Sequence, residues 1–213
     1  MIERNIGYYE KYVKRLMDIV FSLIFIIIFG WLYIIIAMMV RIKLGKPVLF
    51  FQERIGVNER PFKLFKFRSM TDDRDDKGNL LPDEMRLTKF GAKLRSLSLD
   101  ELPEIFSIIK GDMSIVGPRP MPCTYLKYFK DEERIIHTVK GGLLPPDVLT
   151  GHSVFDWDEQ FRNEMSYAKN VSFIMDCKII IATLKILFIR NKENYGGNVR
   201  KPLFEVRDFM ITK

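Results

Sequence analysis

Arg95-Ser-Leu-Ser-Leu-Asp-Glu-Leu-Pro-Glu-Ile-Phe-Ser-Ile-Ile-Lys-Gly-Asp-Met-Ser-Ile-Val-Gly-Pro-Arg-Pro120 is the stretch on which the fold of this chain turns. Leu102, Ile105, Phe106, Ile108 and Ile109 recur at helical spacing, Lys110 falls in the last turn, and Gly111 follows where a helix C-cap wants glycine. Pro103 has no N–H and costs least in a first turn, where those donors lack intrahelical partners, so the helix is expected to start near Asp100. Such an end suits a phosphate. Asp100 and Glu101 then sit between Arg95 and Arg119, a mixture of nucleophile, cation ligand and cationic clamp that phosphoryl transfer uses. The same residues also fit a capping box, with Ser98 capping and Glu101 reaching back. That alternative puts Pro103 beyond the first turn, so on these residues alone both stay open.

Upstream, Lys11, Lys14 and Arg15 lead into residues 19–40, a charge-free run long enough to reach through a bilayer core, and Arg41, Lys43 and Lys46 follow it. Both flanks want the cytoplasm under the positive-inside rule. Gly30 weakens the middle of the helix, and Trp31 prefers an interface to the bilayer centre. A re-entrant helix broken at Gly30-Trp31 and a simple spanning helix both remain open.

Between these two regions, residues 48–51 and 62–68 read as strands, the second alternating apolar with basic, and residues 52–56 read as their loop. Lys66 and Arg68 share a face with Leu64 and require either a partner or solvent. Asp72, Asp73, Asp75 and Asp76 lie in a hydrophilic loop without the terminal glutamate of a calcium loop. Residues 84–97 are expected as one basic amphipathic helix with Met85, Leu87, Phe90 and Leu94 inward. Further on, residues 124–138 read as a helix, 141–152 as loop, and 157–169 as a helix. Residues 171–190 form an apolar helix whose Asp176, Lys178, Thr183 and Lys185 make a polar stripe, suited to a membrane surface or to packing on the domain. Residues 191–213 read as a loosely held tail.

At 213 residues, 47% hydrophobic and 29% charged, the chain has room for a real core and is not of disordered composition. Its net charge of +7 favours a polyanionic partner, and with no long basic run or recognisable motif nucleic acid is set aside. Cys123 and Cys177 lack metal-ligand spacing and are expected to pack, reduced; His137 and His152 are too few for a histidine-rich metal site.

The chain resembles the bacterial sugar transferases, small monotopic phosphoglycosyl transferases. The resemblance runs from about Tyr12 to Phe188 and is carried by residues 62–70, by Arg95-Ser-Leu-Ser-Leu-Asp-Glu-Leu-Pro and by Lys110-Gly-Asp-Met-Ser-Ile-Val-Gly-Pro-Arg-Pro. It implies transfer of a sugar-1-phosphate from a UDP-sugar to a polyprenyl phosphate, releasing UMP and starting a lipid-linked glycan. Asp100 would be the nucleophile, Glu101 would support the metal or a proton transfer, and both would hold Mg²⁺. Lys66, Arg95 and Arg119 match positions that face phosphates; the role of Asp112 stays open.

It further implies an α+β, mostly helical fold: a re-entrant helix-break-helix over residues 1–46, a catalytic domain with short strands and interfacial amphipathic helices over 47–190, and a tail over 191–213. The expected place is the cytoplasmic face of a bacterial inner membrane, with membrane lipid as a partner and a homodimer as an option. Two departures stand out. Gly30-Trp31 replaces the Ser-Pro of the family's break, and Lys140-Gly-Gly-Leu-Leu-Pro-Pro replaces an Arg-Pro-Gly loop that bears on donor recognition. The competing expectation is a catalytically inert membrane scaffold.

Overall fold

The computed structural model describes residues 4–151, 156–189 and 201–207. The expected positions 152, 190–200 and 208–213, His152 among them, lie outside the described residues. After a π-helical turn at Tyr9–Lys14, helix α1 runs from Arg15–Lys43. Strands β1 (Leu49–Ile55) and β2 (Pro61–Phe67) form an antiparallel hairpin. Helices α2 (Asp83–Arg86), α3 (Lys89–Ser96) and α4 (Glu104–Lys110) follow. Strand β3 (Met113–Val116) pairs in parallel with β4 (Gly141–Leu144), and α5 (Trp157–Lys169), α6 (Phe173–Ile189) and α7 (Leu203–Arg207) complete the described chain. The fold is mostly helical with small sheets.

The break expected at Gly30-Trp31 does not occur: α1 is continuous through both residues. One helical glycine costs only about 1 kcal/mol, and no proline removes a hydrogen bond here. A side chain at Gly30 would meet nothing, and the Trp31 indole donates back to the Ile28 carbonyl at 3.0 Å. At a rise of roughly 1.5 Å per residue the helix is ~43 Å long. It lies along the domain for that whole length. Asp18, Ser22, Ile36 and Val40 are buried, and Phe25, Ile26 and Tyr33 pack on the core of Phe62, Leu64, Ile105, Ile108 and Met113. The opposite stripe, including Ile27 at 81% and Ile42 at 78% exposure, is apolar and uncovered.

Polar contacts fix both ends of α1 to one body. Lys14 pairs with Asp176, Asp18 accepts from Ser114 Oγ at 3.0 Å and from the Ile115 N–H at 2.9 Å, and Arg15 donates to the Ile108 and Ile109 carbonyls that end α4. Beyond its C-terminus, Arg68 donates to the Leu44 and Lys46 carbonyls.

Other expectations are corrected by tertiary pairing. Residues 52–55 continue β1 instead of turning, and the turn falls at Val57–Glu59 with Asn58 and Glu59 left-handed. The single helix over 84–97 is two: Leu87 is extended and pairs with Met70, then Thr88 caps α3 by accepting from the Gly91 N–H at 3.0 Å. Met85 faces solvent. Residues 124–138 form two 3₁₀ stretches, Cys123–Tyr128 and Asp131–Thr138, because Phe129 turns extended to enter the core.

The stretch after Lys140 contains β4 instead of only loop. Gly142 and Gly117 approach so closely that a Cβ on Gly142 would lie 2.0 Å from the Gly117 nitrogen, a contact only glycine permits. Asp176 does not join a polar stripe on α6; it is buried and accepts from the Tyr9 and Tyr167 hydroxyls, each at 2.7 Å. The C-terminal residues include α7, whose Leu203 and Arg207 are buried, so this segment packs where a loose tail was expected.

Candidate active site

The Asp100-Glu101 stretch is shaped by a sharp turn. Ser98 is left-handed, with φ of 54°, and caps nothing with its side chain, so the capping box is absent. Leu99–Glu101 is a 3₁₀ turn, Leu102 and Pro103 are already helical, and α4 proper starts at Glu104. Pro103 therefore stands at the entry to α4, where its missing N–H removes no bond. Gly111 ends the helix in the left-handed conformation as expected, with φ of 99°. Tyr33 of α1 reaches in to donate to the Leu102 carbonyl at 2.8 Å, so the membrane-type helix itself holds this turn.

The strand face that carries Leu64 also presents Lys66. Its ammonium lies 2.7 Å from Glu101 and 3.1 Å from Glu104, so it has partners instead of a solvated face. Burial works against that charge, but Glu104 and Glu101 together hold the Lys66 pKa above its ordinary value. Glu104 is 5% exposed and its pKa is pushed up to about 6, first by burial and next by repulsion from Glu101, with Lys66 opposing. Glu101 is the more accessible carboxylate, its side chain 32% exposed.

These groups line a small cleft of about 50 Å³, closed by Arg54, Arg119, Pro120, Gly142 and Leu143. Arg54 donates to the Pro120 carbonyl at 3.0 Å, and burial lowers its pKa. The cleft thus holds three cations, Arg54, Lys66 and Arg119, against two carboxylates, Glu101 and Glu104. An excess of positive charge in a desolvated recess favours an anion. Arg119 is positioned through its backbone: its N–H donates to Glu164 at 3.1 Å, and its loop is clamped on β4 by the Gly142 N–H to the Pro118 carbonyl at 2.8 Å.

Asp100 lies beside the cleft and not on its lining. It is 8% exposed, and its pKa is raised by burial and then by Glu101, while Lys66 and Arg95 oppose. Arg95 is exposed on α3, and its Nε donates to Ser69 at 2.8 Å, so it faces Asp100 from outside the cleft. Asp112 pairs with Lys110 at 2.8 Å, beyond the far end of α4. Glu104, Arg54 and Tyr33 were missed in the sequence. Glu104 had a signal, since it stands three residues after Glu101 on the same helical face. Arg54 had none, because its segment reads as loop.

Among the described residues, three or more acidic, histidine or cysteine side chains do not converge in one metal-binding group, and Cys123 and Cys177 are free. Residues 9–190 match the family model described as bacterial sugar transferase. The uncharacterized sugar transferase EpsL of Bacillus subtilis is 40% identical over 176 residues, covering 83% of this chain and 87% of the relative. The UDP-N-acetylgalactosamine-undecaprenyl-phosphate N-acetylgalactosaminephosphotransferase of Aeromonas hydrophila is 33% identical over 83% of this chain and 44% of the relative. The UDP-glucose:undecaprenyl-phosphate glucose-1-phosphate transferase of Klebsiella pneumoniae is 34% identical over 85% of this chain and 41% of the relative. The chain therefore spans most of the Bacillus protein and less than half of the other two. With a family match over most of its length and the Asp-Glu turn set beside a cationic cleft, this chain belongs to the bacterial sugar transferase family.

Proposed function

We propose that the chain is a phosphoglycosyl transferase that moves a sugar-1-phosphate from a UDP-sugar to a polyprenyl phosphate by way of a covalent ester on Asp100. A carboxylate oxygen of Asp100 attacks the β-phosphorus of the donor; the bond from that phosphorus to the bridging oxygen breaks, and UMP leaves with the electron pair. A phosphate oxygen of the acceptor then attacks the same phosphorus, forming the lipid diphosphate sugar and returning Asp100 as a carboxylate. Splitting the transfer in this way lets two bulky anions react one at a time.

The observation that carries the proposal is the charge arrangement: Arg54, Lys66 and Arg119 outnumber the carboxylates of the cleft, and Lys66 with Arg95 acts on a mostly buried Asp100. Lys66 fixes Glu101 and Glu104, and Arg119 is held by the Gly142 and Glu164 contacts to face incoming phosphate. Asp100 and Glu101 fit Mg²⁺, which is held by one or two carboxylates together with substrate phosphates and water. When bound, the ion neutralises phosphate charge that would otherwise repel the nucleophile.

Membrane attachment follows from α1. Its two ends are bonded to the same domain, its outer stripe is apolar, and basic residues flank it, which supports a helix embedded from one side with both ends at the cytoplasmic surface. On α6, exposed Ile174, Ile181 and Leu184 stand among Lys178 and Lys185, a pattern in which lysines snorkel at a lipid surface.

The test is incubation of purified protein with Mg²⁺, polyprenyl phosphate and a panel of UDP-sugars. Enzyme-dependent UMP release is expected, together with a phosphosugar mass adduct on Asp100 when donor is supplied alone. Single-step transfer without an adduct would remove the covalent mechanism, and absence of UMP with every donor would leave the inert scaffold.

A further inference from the structure

A second cavity lies away from the cleft, at the N-terminal end of α1. It encloses about 270 Å³, far more than the roughly 10–15 Å³ that one water needs on the same measure. Its charged lining is Lys11, Lys14, Arg15 and Lys140 with Glu10 and Asp18. Each acid is engaged through one oxygen, and the Glu10 Oε2 is buried without a hydrogen-bond partner among the described residues. Glu10 pairs with Arg4, and Asp18 accepts from Ser114 and the Ile115 N–H. Of the cations, Lys14 is matched by Asp176, while Arg15 spends its donors on two neutral carbonyls and keeps its charge uncompensated. Lys140 is half-buried and makes no ion pair or hydrogen bond among the described residues. Burial, followed by repulsion from Arg15, depresses its pKa, with Asp18 and then Asp112 opposing.

The mouth carries exposed Ile6, and Tyr8, Tyr12, Val13 and Leu16 continue the exposed surface along the same segment. Phe173 stacks edge-on with Tyr9 beside it. Tyrosines and a phenylalanine at the end of an apolar stripe are the composition of a membrane interface belt. We propose that this cavity binds the phosphate of an anionic membrane-lipid headgroup, with Lys140 and Arg15 as the receiving cations and the acyl chains running out past Tyr12 and Leu16. The ligand chemistry is a phosphate oxyanion; the apolar rim assigns it to a lipid and not to free phosphate. The test reads binding and stands whether or not the enzyme turns over.

The full chain, purified in an uncharged detergent, is titrated with dioleoylphosphatidylglycerol, dioleoylphosphatidylcholine or inorganic phosphate, and retained ligand is counted by native mass spectrometry. One phosphatidylglycerol is expected to be held in preference to phosphatidylcholine. Lys140→Gln is expected to weaken it at least about 10-fold, and Lys140→Arg to keep it, since a charge-assisted hydrogen bond carries that weight. Lys11→Gln on the rim is expected to cost about 5-fold and reads the site independently if Lys140→Gln folds poorly. Lys77→Gln, in the distant acidic loop, is expected to bind as the wild type does. Equal retention of phosphatidylcholine, or unchanged binding in both the Lys140→Gln and Lys11→Gln variants, overturns the proposal. Inorganic phosphate displacing the lipid at equal concentration overturns its assignment to a lipid.

Discussion

Two acid–base clusters of this molecule differ in one respect. Near α7, Arg207 is 4% exposed and is saturated: it bonds both oxygens of Glu133 at 2.7 and 2.8 Å, Asp158 at 2.6 Å and the Tyr128 carbonyl at 2.8 Å. In the cleft, three cations face two carboxylates that are both taken by Lys66, leaving Arg54 and Arg119 with charge to spare. A saturated cluster holds segments together and has nothing left to offer a ligand. An unsaturated one gives up some stability and gains a place for an anion.

The largest expected effect breaks the chemistry without touching the fold. Asp100→Asn should lower UMP release by on the order of 10⁴-fold, the scale of losing a nucleophile, with an unchanged melting temperature. Next comes the saturated cluster. Arg207→Ala strands buried Glu133 and should cost about 3–5 kcal/mol, seen as a lower melting temperature, with kcat retained at low temperature. If Arg207→Ala instead abolished turnover in folded protein, the two clusters would not be functionally distinct.

Lys66→Gln comes third, because it leaves Glu101 and Glu104 facing each other across the cleft. A loss of roughly 10²–10³-fold in kcat/KM is expected, the usual weight of one preorganised cationic or donor group. Glu164 sharpens the contrast further. It is wholly buried and its pKa is pushed up to about 7, by burial first, while Gln160 and the Arg119 N–H oppose. The folded state then holds a proton that the unfolded chain releases near 4.5, so stability falls as pH rises from about 4.5 to about 7. Glu164→Gln should remove that slope and gain on the order of 2–3 kcal/mol relative to wild type at pH 8, measured by melting across pH. The smallest effect is expected on α6: Lys178→Gln should weaken binding to anionic vesicles by about 1 kcal/mol while leaving UMP release in detergent unchanged.

The contrast between the clusters is only half legible in the sequence. Asp100, Glu101 and the Pro103 punctuation are neighbours along the chain, and their chemistry follows from adjacency. Glu104 was within reach by helical spacing. Arg54 was not, because β1 acquires its last residues only by pairing with β2, opposite Phe62 and Leu64. The packed end segment was hidden too: seven residues with one leucine and one arginine carry no periodic signal, and their weight comes from what Phe161, Glu133 and Asp158 do around them.

By itself the sequence determined the elements whose signals are local: an apolar N-terminal helix, a basic alternating strand, a helix closed by Gly111, and two adjacent carboxylates between arginines. Tertiary structure decided everything that depends on who meets whom. It carried α1 unbroken through Gly30 because the domain packs along its whole length, and it made a strand of Gly141–Leu144 because Gly117 and Gly142 let two backbones touch. It also settled for Lys66 the choice between partner and solvent that the sequence left open, pairing it with Glu101 and Glu104. Periodicity and capping act within a few residues and can be read in order, whereas register, burial and charge pairing join positions far apart and exist only once the chain has closed on itself.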